Sequence, residues 1–291
     1  LDLDENYCVF DDIKDRYYDG LIITGAPVEQ MPFESVDYWP EMKTYFEWAK
    51  THAFSTLHFC WGAQAALYYY YGIEKRLLPA KLFGIFEYQL TQKHHPLLRG
   101  FDDRYFIPQS RHTAINDIQV YNTPQLDILS RSVENGINII GTPDHRRFFV
   151  LGHFEYDRRT LEEEYLRDKK KGLPIAVPKN YYPGDNDTKQ PYFTWCSYAH
   201  LFYHNWLNIV YQETPYDLQA IAKAILVRIE KRPVAFATGL FYTVGGATWA
   251  TRVNVDDSLN WTENHTDSRA GSPRASPYNK LQTIFIFAKR P

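Results

Sequence analysis

The stretch Phe54-Ser-Thr-Leu-His-Phe-Cys60-Trp-Gly62, continued by Ala63-Gln-Ala-Ala-Leu-Tyr-Tyr-Tyr-Tyr71-Gly72, constrains this chain more than any other. A short apolar run passes through a cysteine directly into an Ala- and Tyr-rich helix that Gly72 ends, so strand, sharp turn and helix follow without a loop between them. That is the layout of a nucleophile elbow. It holds one side chain at the carboxyl edge of a sheet, where the free N–H groups of a helix start can bind an oxyanion. Cys60 is therefore the candidate nucleophile, set against the plainer reading of a buried cysteine as a small apolar core residue.

The elbow has a strand partner upstream. Tyr18-Asp-Gly20-Leu-Ile-Ile-Thr24 is a continuous apolar run closed by Gly25, as expected for a central parallel strand covered on both faces. A loop with Glu29 follows, then a helix over about Asp37 to Thr51 with Met42, Tyr45, Phe46 and Ala49 on one stripe. The β-α-β-α order predicts a doubly wound α/β sheet, mostly parallel, with ligands at the carboxyl ends of its strands. From Lys81 to Ser132 the pattern loosens into short strands and loops. Strands are expected again over Ile137–Ile140 and over the run from Arg147 that carries His153 and Glu155. Thr160-Leu-Glu-Glu163 reads as a capping box opening a helix that Gly172 stops, and Trp195 to Tyr211 reads as a buried aromatic helix. The domain reading is residues 1–217 as one catalytic domain and 218–291 as a helix, Leu218 to Lys231, followed by a poorly ordered extension. The two Asn-x-Thr patterns at Asn260 and Asn264 are read as chance.

A cysteine nucleophile needs a base and a group that orients the base. On a strand, residues two apart share a face, so Glu155 is expected beside His153 with Phe154 turned away. The three residues make a Cys-His-Glu triad. Cys8 and Cys196 lack such context and are read as structural. The ten histidines give no metal reading, because His94 and His95 are adjacent and no other ligand lies at a useful spacing. His58 is read as a core or supporting residue. Tyr68 to Tyr71 surround their helix and suggest burial or a subunit contact. A net charge of -3 gives no electrostatic case for nucleic acid or an anionic membrane, and no apolar run reaches the roughly 20 residues of a membrane span. Three widely spaced cysteines favour a reducing compartment, so the cytoplasm is the expected location.

Seven motifs in order carry a family resemblance. Thr24-Gly-Ala-Pro-Val-Glu29, Phe59-Cys-Trp-Gly-Ala-Gln-Ala-Ala-Leu67, Arg99-Gly-Phe-Asp-Asp103, Pro108-Gln-Ser-Arg-His-Thr113, Gly152-His-Phe-Glu-Tyr-Asp157, Glu164-Tyr-Leu-Arg-Asp168 and Asn205-Trp-Leu-Asn208 resemble the MetA-type homoserine O-acyltransferases, over about residues 10 to 217. The resemblance implies a class I glutamine amidotransferase-like (flavodoxin-like) fold. It places the acyl-accepting cysteine on Cys60, the histidine on His153 and the glutamate on Glu155. It also implies substrate contacts from Arg111, Arg167 and Ser110, an oxyanion donor at Trp61, and a donor-selecting residue at Glu29, where glutamate goes with acetyl-CoA and glycine with succinyl-CoA.

The expected reaction is transfer of an acetyl group from acetyl-CoA, as co-substrate and with no cofactor or metal, to L-homoserine in methionine biosynthesis, by a homodimer. L-serine as acceptor, succinyl-CoA as donor, a glutamine amidotransferase-type hydrolase and an inactive fragment are the competing readings. Relative to the family pattern, a first strand and helix before Gly20 are expected to be missing, leaving the Gly20 strand with a bare edge, and Gln109 replaces the family's histidine.

Overall fold

The computed structural model describes residues 8–215, 217, 221 and 284–287. In chain order the main elements are β1 (Tyr18–Ile23), α1 (Trp39–His52), β2 (Ala53–Phe59), α2 (Cys60–Tyr71), β3 (Lys75–Leu90), β4 (Arg104–Ile115), β5 (Asp127–Ser132), β6 (Gly136–Gly141), β7 (Arg147–Val150), α3 (Thr160–Lys170), α4 (Cys196–Glu213) and β8 (Ile284–Phe287). The strands form one sheet in the order β4-β3-β5-β6-β7-β2-β1-β8.

The central strands are apolar on both sides because both sides are covered. Leu21 and Ile23 of β1 join Phe46 of α1 and Trp61 and Leu67 of α2 in one core. Ile22, between them, points the other way and packs with Leu57, Phe59, Phe202 and Trp206 beneath α4. Each such side chain fully removed from water contributes about 1.5–3 kcal/mol. Gly20 is what lets α4 approach, since a Cβ there would lie 2.9 Å from the Trp206 ring. The buried Ser55 hydroxyl of this layer is paired: Oγ donates to His145 O at 2.9 Å and accepts from Trp206 Nε1 at 3.1 Å. His58 Nδ1 donates to Phe148 O at 3.0 Å, which fixes the neutral ring's tautomer.

The α/β layering is as expected, and the parallel part is narrower than expected. Among the described strands, only β1–β2 and β2–β7 pair in parallel. The pairings β7–β6, β6–β5, β5–β3 and β3–β4 are antiparallel, as is β8 against β1. The segment read as short strands and loops is instead dominated by a long β3–β4 hairpin, with a register shift between Leu77 and Leu82. Alternation is weak there because the first half of β3 is largely exposed. Thr160 is not a cap: Arg159 precedes α3 without a side-chain cap bond, and the Thr160 hydroxyl accepts from Asp157 N at 3.0 Å. The expected helix from Leu218 to Lys231 and the two Asn-x-Thr patterns lie outside the described residues. Within the expected loose extension, Ile284–Phe287 are described and form β8, which covers the outer edge of β1.

Candidate active site

The elbow is built as its sequence requires. Phe59 is still extended, Cys60 turns to a φ of 47°, and α2 starts at once. A non-glycine residue in the left-handed region costs about 1–3 kcal/mol, and such residues concentrate at functional turns. The turn exposes the N–H groups of the first helical residues, Trp61 among them, which have no carbonyl partner within the helix. The Trp61 side chain itself is fully buried. Only its backbone faces the site. Gly25, at the end of β1, closes the floor. A Cβ at that position would sit 3.1 Å from Cys60 Cβ and 3.6 Å from Trp61 N.

His153 and Glu155 follow β7 on a turn rather than on the strand itself, which ends at Val150. The two side chains still pair. His153 Nδ1 and Glu155 Oε1 are 2.6 Å apart, and the turn is pinned by His153 N donating to Pro108 O at 3.0 Å. Nε2 is buried and hydrogen-bonds no nitrogen or oxygen of the described residues. It faces Cys60. Burial opposes the charged imidazole, but the negative charges of Cys60 and Glu155, with their hydrogen bonds, hold the His153 pKa well above its ordinary value.

Tyr156, which carries no role in the sequence reading, stacks on the His153 ring with centroids 4.1 Å apart and planes 18° from parallel. Burial raises its phenol pKa well above normal, followed by the charges of Glu164, Cys60, Glu155 and Glu29. Glu164, from α3, accepts from Ser110 Oγ at 2.8 Å and from Lys81 Nζ at 2.5 Å. Arg167 Nη2 stands 3.9 Å from Glu164 and its Nε donates to Asp168 at 2.7 Å, while the side chain remains 55% exposed. Ser110, Lys81, Glu164 and Arg167 thus form one polar wall behind Tyr156.

Arg111 is on the wrong face for that wall. Strand alternation turns it away from Ser110. It is 1% exposed and donates to Gln109 Oε1 at 2.9 Å, Thr113 O at 2.6 Å and Asn135 O at 3.1 Å. It organises the hairpin from within and offers no fork to a ligand. Glu29 is held on the same strand, with Oε1 2.8 Å from His112 N and Oε2 3.1 Å from Thr113 Oγ1. Lys81 and Glu164 are the polar residues that the sequence reading did not assign. Glu164 had a signal in its three-residue spacing from Arg167; Lys81 sits in the irregular stretch of β3 and had none. Among the described residues no group of three or more His, Cys, Asp or Glu is placed to hold a metal ion, and no helix is long and apolar enough to cross a membrane.

Comparison with known proteins bears on the whole of this region. The family model for homoserine O-succinyltransferase matches residues 2–216. A protein of Agathobacter rectalis named homoserine O-acetyltransferase is 54% identical over 216 residues, 74% of this chain and 70% of the relative. A protein of the same name from Geobacillus kaustophilus is 52% identical over 216 residues, 74% of this chain and 72% of the relative. Among solved structures, a glutamine amidotransferase from Thermotoga maritima is similar with a TM-score of 0.39 at 14% identity, over 67% of this chain and 72% of that one. The chain belongs to the homoserine O-succinyltransferase family.

Proposed function

We propose that the protein is a homoserine O-acetyltransferase of methionine biosynthesis that works through an acetyl-Cys60 intermediate. The observation that carries the chemistry is the arrangement of Cys60 at a left-handed helix start facing a buried His153 whose other nitrogen is fixed by Glu155. The Cys60 thiolate attacks the thioester carbonyl of acetyl-CoA, forming a C–S bond. The resulting oxyanion is stabilised by the Trp61 N–H. As the tetrahedral adduct collapses, the bond to the CoA sulfur breaks and His153 gives that sulfur its proton. The now neutral Nε2 takes the proton of the acceptor hydroxyl, whose oxygen attacks the acetyl carbon and releases Cys60 as thiolate. Glu155 keeps the imidazole in the required tautomer and stabilises its charged form.

The acceptor is L-homoserine. Its α-carboxylate goes to Arg167 and Lys81, its ammonium to Glu164, with Ser110 holding that carboxylate in place. Glu29 makes the donor acetyl-CoA, because a carboxylate at that place repels the second carboxylate of a succinyl group. The reaction is placed in the cytoplasm, and the half-exposed tyrosines Tyr68 to Tyr71 are the face proposed for a homodimer. The test is turnover of purified protein with acetyl-CoA or succinyl-CoA and with homoserine or serine. Faster transfer from acetyl-CoA to homoserine is expected. A higher kcat/KM with succinyl-CoA overturns the donor assignment, and a higher one with serine overturns the acceptor.

A further inference from the structure

A glutamate excludes a dicarboxylic acyl group only while it stays where the second carboxylate would go. Glutamate has three rotatable bonds, and fixing such a side chain costs up to about 2 kcal/mol of rotamer entropy. A free one would swing aside and admit the larger donor. Glu29 is not free. Both of its oxygens are held from β4, Oε1 by the backbone N–H of His112 at 2.8 Å and Oε2 by the Thr113 hydroxyl at 3.1 Å. These donors are neutral, and among the described residues Glu29 makes no ion pair at contact distance, so its charge still acts on whatever enters beside it.

Its backbone is held separately, from β3. Lys75 Nζ donates to Glu29 O at 2.5 Å and to Met31 O at 2.6 Å, and lies 4.2 Å from the centroid of the Phe33 ring. The loop's own hydrogen bonds, Val28 N to Ala26 O and Met31 N to Val28 O, close only within the loop. Lys75 and Thr113 stand on paired strands, with Lys75 opposite Ile115 and Leu77 opposite Thr113. The two anchors therefore share one frame. The Thr113 hydroxyl has one proton, and it is free for Glu29 when the Gln64 amide, 2.9 Å away, turns its otherwise unpartnered Nε2 to donate to the Thr113 oxygen; Gln64 stands one turn into α2 from Cys60. Burial lowers the Lys75 pKa to about 8, with the nearby Glu29 and Glu34 charges opposing the fall, so the ammonium form still predominates at neutral pH.

We propose that Lys75 and Thr113 are positioning residues that pin Glu29 to the β3–β4 hairpin, and that this fixation sets the preference for a monocarboxylic over a dicarboxylic acyl donor. The proposal rests on the reading of Glu29 as the donor-selecting residue. A role confined to stability would lower turnover with both donors alike; a positioning role changes their ratio.

The experiment measures kcat/KM for acetyl-CoA and for succinyl-CoA, with homoserine, in Thr113→Val, Thr113→Ser, Lys75→Met, Lys75→Arg and Glu29→Gly. Thr113→Val and Lys75→Met are each expected to lower the acetyl-to-succinyl ratio by roughly three- to tenfold, the size of one hydrogen bond. Thr113→Ser, which keeps the hydroxyl, and Lys75→Arg, which keeps the cationic donors, are expected to hold the ratio near that of the unaltered protein. Should Lys75→Met fail to fold, the shape-conserving Thr113→Val decides. A ratio unchanged in Thr113→Val while Glu29→Gly collapses it overturns the pinning and leaves Glu29 as selector. A ratio unchanged in Glu29→Gly overturns the donor reading and the pinning with it.

Discussion

The parallel strands β1, β2 and β7 deliver their functional groups from their ends, whereas the β3–β4 hairpin delivers its groups from along its length. Gly25, Cys60 and His153 each fall within three residues of the end of one of those parallel strands. Ser110, Lys81, His112 and Thr113 are side chains or N–H groups of the hairpin strands themselves. Parallel strands bring several chain ends to one edge, which suits a small cluster of reacting atoms. An antiparallel hairpin offers a flat row of alternating side chains, which suits recognition of a substrate lying along it. Under the proposed function, one region carries the bond making and the other the choice of what reacts. The stacked Tyr156, between His153 and Glu164, joins the two.

Several measurements set the two regions against each other. The largest effect is expected from Cys60→Ala, which should lower transfer by about four orders of magnitude or more and abolish the acetylated protein. Retained transfer would remove the parallel edge from the chemistry altogether. Glu155→Gln keeps the side chain's size and loses its charge. It should lower kcat by roughly 10²- to 10⁴-fold, with a much smaller change in KM for either substrate. On the hairpin, Lys81→Met and Ser110→Ala should raise KM for homoserine by about tenfold while the rate of Cys60 acetylation by acetyl-CoA stays close to that of the unaltered protein. An acetylation rate that falls as far as overall turnover would break the division of labour.

The smallest effect concerns stability of the parallel layer. His58 in β2 is fully buried, and desolvation is the main reason its pKa falls to about 3. The unfolded chain takes up this proton below about pH 6.5 and the folded one does not. The neutral core histidine is therefore without cost above that pH, and stability is lost as the pH drops from about 6.5 towards 3. The loss is about 1.4 kcal/mol for each pH unit. Urea unfolding at pH 7 and pH 5.5 measures it. A His58→Phe variant should show a shallower loss between those two values; an equal loss would assign the acid sensitivity to other groups.

The two regions also differed in how legible they were. The elbow was readable because strand, cysteine and helix are contiguous, and the β1 strand because both of its faces are covered and its run is unbroken. The pairing of His153 with Glu155 was readable from local spacing, although the turn that holds them is not the strand that alternation implied. The hairpin was obscure because the outer half of β3 is exposed and irregular between Leu77 and Leu82, so no period marks it. That is why Lys81 went unassigned. Arg111 was misplaced for a related reason: without knowing that β4 runs unbroken from Arg104 to Ile115, nothing said that Ser110 and Arg111 face opposite ways. The motif that contained them carried identity but not orientation.

In the proposed mechanism Cys60 alone becomes acylated, and the hairpin decides by what. Intact-mass measurement, followed by peptide mapping, after mixing the protein separately with acetyl-CoA and with succinyl-CoA and no acceptor tests it directly. One acetyl group on Cys60 is expected with acetyl-CoA, its loss when homoserine is added, and far slower labelling by succinyl-CoA. Labelling at any other residue, or equally fast labelling of Cys60 by both donors, would contradict it.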